Sequence, residues 1–248
     1  MNLDTFKVET NKEDKRELLQ LRDLNYVHGS SSASFPGIFS SETPGLKSSG
    51  RLIDEGNFLY SGELKWGISK KGINRDSISA MPINFPKEAI RHSEYSFNKK
   101  PWDKESAKKK VFFLTRYMEA IMEGRSAAEE FSKKNKFLNT YPYKQLLEII
   151  PQELKIEKRR LKNWDKMNDS DKSFISNSFP VVYGIKYEGE IKSVISGLSR
   201  EVGILENISP EQLIIFVPKE KIKIVKDYLE EYNITIGNVL EIGLIEKG

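Results

Sequence analysis

Apolar and polar positions along this 248-residue chain change their period twice, and the changes divide it into three parts. In the first, apolar residues fall in short runs broken by Gly, Ser and Pro. Leu18, Leu19, Leu21 and Leu24 stand at near-helical spacing behind Asn11, with Glu13 and Asp14 in the first turn, which predicts an amphipathic helix over residues 11–24. Tyr26-Val27-His28 then reads as a strand end meeting a loop, because Gly29 and a run of serines follow it. Glycine there has no Cβ to keep a ligand from the backbone. A short helix or turn is expected from Ala33 to Ser40. From Pro44 to Ile83, Gly45, Gly50, Gly56, Gly62, Gly67 and Gly72 punctuate short apolar pieces, and a strand-like piece ends at Met81.

Between residues 102 and 177 the period becomes helical. Ala107, Val111, Leu114, Met118 and Ile121 recur at three- and four-residue steps from Lys104 to Glu123, and Gly124 stops the run. Ser126 with Glu129 has the spacing of a capping box for a short helix through Lys134. Tyr143 to Ile150 and Pro151 to Met167 read as two helices, the proline in the first turn of the second. Asp169 or Ser170 is placed to cap another.

The last third returns to short apolar runs. Pro180 to Tyr187 is strand-like, Glu188-Gly189 has the form of a tight hairpin turn, and Glu190 to Ile195 runs back. Glu201 to Leu205 and Gln212 to Val217 are further strands, Pro218 to Tyr232 is an amphipathic helix, and Ile234 to Ile245 alternates like a strand pair. The pattern defines an α+β protein with a mainly antiparallel sheet. Residues 1–101 and 178–248 are two halves of one core, and 102–177 is a helical insertion or subdomain.

Composition narrows the chemistry. Cysteine is absent, which removes disulfides, thiolate nucleophiles and zinc–thiolate sites. The two histidines, His28 and His92, lie far apart with no metal-binding spacing, so no metal site is expected, and a serine triad would have His28 as its base. No Gly-rich phosphate motif of the Rossmann or P-loop type occurs. The net charge of +4 is uneven: residues 99–172 hold 19 Lys and Arg against 12 Asp and Glu, or +7, leaving 21 against 24, or −3, elsewhere. Such a segment is most simply the solvated face of helices, with nucleic acid, an acidic protein or an anionic membrane as candidate partners. No apolar run is long enough for a membrane span, and the amino terminus lacks a signal-peptide core. The expectation is a soluble protein, cytoplasmic or exported as an effector without a recognisable signal peptide.

His28-Gly29-Ser30, then Gly37-Ile38, then Gly45-Leu46 resemble the first motif of ADP-ribosyltransferases of the poly-ADP-ribose polymerase and diphtheria-toxin type, over roughly residues 25–51. The resemblance implies the split antiparallel sheet of that family and NAD as substrate. It also implies transfer of ADP-ribose to a protein acceptor with release of nicotinamide, as in toxins and effectors. His28 would hold a ribose hydroxyl, Gly29 the carboxamide through its backbone, and Ser30 the other ribose or the cleft wall. Ser79 would lie beside the nicotinamide and Tyr60 would stack on it. For the catalytic carboxylate, Glu201 ranks first, at the head of a short strand followed by Ile208-Ser209-Pro210-Glu211. Glu211 ranks second and Glu190, in a Glu-x-Glu pair with Glu188, third. The alternatives are NAD hydrolysis, or a basic nucleic-acid- or partner-binding module on an inactive transferase fold; nucleic acid is not the favoured partner. The acceptor residue and the oligomeric state stay open.

Overall fold

The computed structural model describes residues 19–55, 76–97, 102–134, 143–193 and 201–245. The helix expected over 11–24 lies largely outside them; within them, Leu21–Asp23 is a single 3₁₀ turn and Leu24 is already extended.

Strand β1 (Tyr26–Ser31) is followed by a 3₁₀ turn, the short helix α1 (Phe35–Phe39) and α2 (Ser49–Asp54). Then come β2 (Ile78–Pro82) and α3 (Pro86–Phe97). The described residues of the middle block form α4 (Lys104–Glu123), α5 (Arg125–Lys134), α6 (Tyr143–Lys166) and α7 (Asp169–Ser176). The last third holds β3 (Pro180–Ile185), β4 (Ile191–Ser193), β5 (Val202–Ile204), β6 (Leu213–Val217), α8 (Ile222–Glu231) and β7 (Asn238–Glu241).

Among the described residues seven strands make one sheet, in the order β4-β5-β2-β1-β3-β6-β7. Every pairing is antiparallel except β6 with β7. The α+β class and the mainly antiparallel sheet therefore hold. β1 pairs with β3 along its whole length but with β2 only at Tyr26↔Pro82 and Val27↔Met81, so two residue pairs join the two halves of the sheet.

Period-2 alternation buries both faces of the centre. Val181, Tyr183, Ile185, Leu213, Ile215 and Val217 face the larger core, closed by Phe35 of α1, Phe174 of α7 and Val225, Tyr228 and Leu229 of α8. Val27, Val182, Ile214 and Phe216 face the other way, against Leu24 and Ala89 of α3. The helical block has an apolar cluster of its own, built on Leu114, Tyr117, Ala128, Leu146 and Ile150.

Several expectations are corrected. Residues 143–166 form one helix with Pro151 inside it. Proline removes one donor there, toward the carbonyl of Leu147; both positions are exposed, so water can take that carbonyl's bond. Asn168, not Asp169 or Ser170, caps α7, its side chain accepting from the Asp171 amide at 2.8 Å. Glu188-Gly189 does not turn a hairpin. The Asn25 side chain binds both backbone groups of Tyr187, its Oδ1 accepting from the amide at 2.9 Å and its Nδ2 donating to the carbonyl. That ends β3, and the chain crosses to the opposite edge of the sheet, where β4 pairs with β5. Likewise Ile234 to Ile245 supplies one edge strand, β7, parallel to β6, followed by a 3₁₀ turn at Ile242–Leu244.

Candidate active site

His28 sits in the middle of β1 opposite Tyr183, and the two rings stack with centroids 6.2 Å apart and planes 19° apart. Where β1 and β2 part, the imidazole fills the gap: its Nδ1 lies 2.5 Å from the Ser79 carbonyl oxygen. A carbonyl only accepts, so Nδ1 carries the ring proton and Nε2 keeps its lone pair. Burial pushes the pKa down from 6.5 to about 4; the Ser79 carbonyl opposes that, and neighbouring His92 adds to it. At neutral pH His28 is an uncharged acceptor with a fixed tautomer.

Gly29 is explained by packing. Its absent Cβ would stand 2.1 Å from the Ala89 carbonyl oxygen and 2.9 Å from the Ser93 nitrogen, so α3 lies directly on the β1 backbone. A helix, rather than a ligand, makes that close approach. The Ser32 amide donates to Phe179 at 2.9 Å; stepping back by twos, Ser30 and His28 turn their peptide groups toward β3, and Gly29 turns its own toward β2. There the Gly29 carbonyl accepts from His92 Nδ1 at 2.9 Å.

His92 is the residue that pattern reasoning passed over. It stands on α3, half-buried, and brings the second of the chain's two imidazoles within electrostatic reach of the first. The scarcity of histidine was the available signal; its place on an ordinary amphipathic helix hid it.

The other expected residues divide. Ser79 lies on β2 opposite Gly203 of β5, so the strand bearing it is the direct neighbour of both β1 and β5. Ser30 Oγ is 3.3 Å from Ser34 Oγ, and Ser34 in turn donates to the Ser31 carbonyl at 2.8 Å, which makes Ser30 part of the turn into α1. Burial raises the Tyr183 hydroxyl well above its ordinary range, partly offset by Ser34. Tyr60 lies outside the described residues.

Glu201 is half-buried, one residue ahead of β5. β2 separates β5 from β1, so its backbone is about 10 Å from that of His28. Val202 packs against the larger core, and alternation turns Glu201 to the opposite face, that of Met81 and α3. Ser79, between the buried Ile78 and Ala80, shares that face. Glu201, Ser79, the Gly29 backbone and His92 thus belong to one side of the sheet, and His28 reaches the same backbone from the other. Glu211 is exposed in the 3₁₀ turn Pro210–Gln212 ahead of β6, on the far side of β3 from this group. Glu190 is exposed in the crossing segment, where its carbonyl takes the Tyr187 hydroxyl at 3.2 Å.

Two distant stretches that carry the resemblance are held together. Leu46 and Ile208 exchange backbone hydrogen bonds of 2.8 and 3.0 Å, and Gly45, at φ 142°, clears the Ile208 carbonyl because it has no Cβ. Beyond them a cleft of about 650 Å³ opens at the Ile204 end of β5, lined by Ser48, Arg51, Asp54, Asp76, Glu206 and Asn207 among others. Arg51 is bound by Glu55 at 2.9 Å, so the lining is acidic and a poor place for a pyrophosphate. His28 and Glu201 do not line it.

Among the described residues no group of three or more His, Asp or Glu is placed to hold a metal ion, and no helix is long and apolar enough to cross a membrane. No family model, curated protein or solved structure matches the chain.

Proposed function

We propose that this chain is an NAD-dependent ADP-ribosyltransferase acting on a protein. The observation that carries the proposal is the adjacency of β5, β2 and β1: the three segments chosen for the carboxylate, the serine and the His-Gly pair are neighbours in one sheet. Breaking the bond from nicotinamide to ribose leaves its electron pair on nicotinamide and builds positive charge on the sugar, as glycoside cleavage does. A carboxylate at the head of β5 stabilises that charge, orients the acceptor and takes the acceptor's proton as its bond to the ribose carbon forms. On the face of Glu201 the imidazole assigned to a ribose hydroxyl is that of His92, since His28 leaves the sheet on the other face, where it holds the Ser79 carbonyl. The Gly29 backbone takes no part in this assignment, because α3 covers it and its carbonyl holds His92. Glu201 is favoured over Glu211 because its strand borders that of Ser79.

The test is nicotinamide release from NAD with and without a cell lysate as acceptor source. Glu201→Gln should lower release by roughly 10²-fold or more while circular dichroism is unchanged. Wild-type turnover in a folded Glu201→Gln protein would remove Glu201 from the mechanism. Release that the lysate does not alter would make the reaction NAD hydrolysis. Comparing His28→Asn with His92→Asn identifies the imidazole that meets the sugar.

A further inference from the structure

Helix α6 sorts its charges. Glu153 and Glu157 are buried against α4, where Glu157 accepts from Arg160 at 3.2 Å and Lys110 at 3.0 Å, and Lys110 also meets Glu153 at 3.4 Å. With those carboxylates turned inward, the outer face from residue 155 to 166 is left to Lys155, Lys158, Arg159, Lys162 and Lys166. Arg159 is half-buried and the four lysines are exposed. At 3.6 residues per turn these five fall within an arc of about 100° and span about 17 Å. Among the described residues none of the five has an ion-pair partner. The nearest acid of the same stretch, Asp165, is held by Lys104 at 2.6 Å, and the exposed Glu148 shares the face about two turns before Lys155.

We infer that this face of α6 binds the phosphate backbone of a nucleic acid. One cation per roughly 4 Å along a straight stripe approaches the 3.4 Å axial rise per phosphate of one strand of a duplex. The stripe carries no apolar side chain, and the apolar side of α6 is spent on the protein's own cores, so the amphipathic geometry of a membrane-surface helix is missing. The exposed Phe112 and Met122 are on α4, and Leu147, the exposed leucine of α6, lies about two turns before the stripe. Asn163, between Lys162 and the helix end, donates to the Glu55 carbonyl at 3.2 Å, which fixes the stripe beside α2 and the cleft. The inference is independent of the proposed transfer reaction, because its readout is binding without NAD.

Fluorescence anisotropy with a short labelled single strand and its duplex, measured across a salt series on the full chain, tests it. Five phosphate contacts predict a log–log salt slope of about −3.5 for the single strand and about −4.5 for the duplex. Between about 50 and about 200 mM salt that is a loss of roughly a hundredfold and roughly five-hundredfold, respectively. The quadruple variant Lys155→Gln, Lys158→Gln, Lys162→Gln, Lys166→Gln keeps helix propensity and should flatten the single-strand slope to about −0.7. Lys223→Gln with Lys226→Gln, on α8, should change nothing. Absence of binding at low salt, a slope that survives the quadruple change, or equal binding to phosphatidylserine vesicles or to polyglutamate would overturn the inference.

Discussion

Gly29 has no room for a methyl group. Gly29→Ala would set a Cβ against the backbone of α3, where no side chain can swing aside. A loss of about 1–3 kcal/mol is expected, read as a lower urea midpoint at unchanged m-value. His28 makes the complementary case through pH. Its folded pKa of about 4 lies below the unfolded 6.5, so between these values the unfolded chain binds the proton and the folded one does not. This contribution to stability is complete above pH 6.5 and disappears as pH falls toward 4. His28→Asn keeps a donor for the Ser79 carbonyl and removes the titration. The stability difference between pH 7 and pH 4.5 should therefore shrink in the variant, in paired denaturant titrations. Both residues were visible in the sequence as a His-Gly pair at a strand, but the reason for the glycine was not. Close approach by α3 is a tertiary fact, and nothing local to residues 26–31 announces it.

Among the elements, α6 concentrates the electrostatic risk. Arg160 is fully buried, and burial lowers its pKa against the opposing pull of Glu157 and Glu153. Glu157→Ala should cost about 3–5 kcal/mol, because it leaves a desolvated guanidinium without its main counter-charge. Replacing both partners, Glu157→Leu with Arg160→Met, should recover most of that loss; chemical denaturation of the two variants distinguishes the outcomes. Helical periodicity disclosed α4 from its apolar steps, and α6 as well apart from Pro151, whereas α5 was legible only from the Ser126–Glu129 spacing and begins at Arg125, one residue before the expected cap. That proline reads as a helix start, yet the surrounding apolar face carries the helix through it. Strand existence was likewise legible at β1, β3, β5 and β6. Strand partnership was not: a Glu-Gly dipeptide after β3 suggests a hairpin, and only the Asn25 side chain, 162 residues away, explains why the chain leaves the ladder there. The candidate site shows the same limit. Its three segments could be selected one by one, whereas the face on which Glu201 lies, and the arrival of His92, follow from sheet order.

At the scale of the molecule, the sheet is stitched from the two ends of the chain. β1 takes one neighbour from residues 78–82 and the other from residues 180–185, with the whole helical block between them in sequence. Closing that interval carries a large loop entropy before any strand contact repays it, while α4, α5 and α6 meet through nearer neighbours. Pulse-labelled hydrogen exchange during refolding should therefore find amides of α4 and α6 protected before those of β1 and β3; simultaneous protection would refute this order. During synthesis, β1 leaves the ribosome long before its longest partner exists. Val27 and its apolar surroundings must then stay out of intermolecular pairing until β3 arrives, which makes the nascent amino-terminal third the portion most dependent on chaperones.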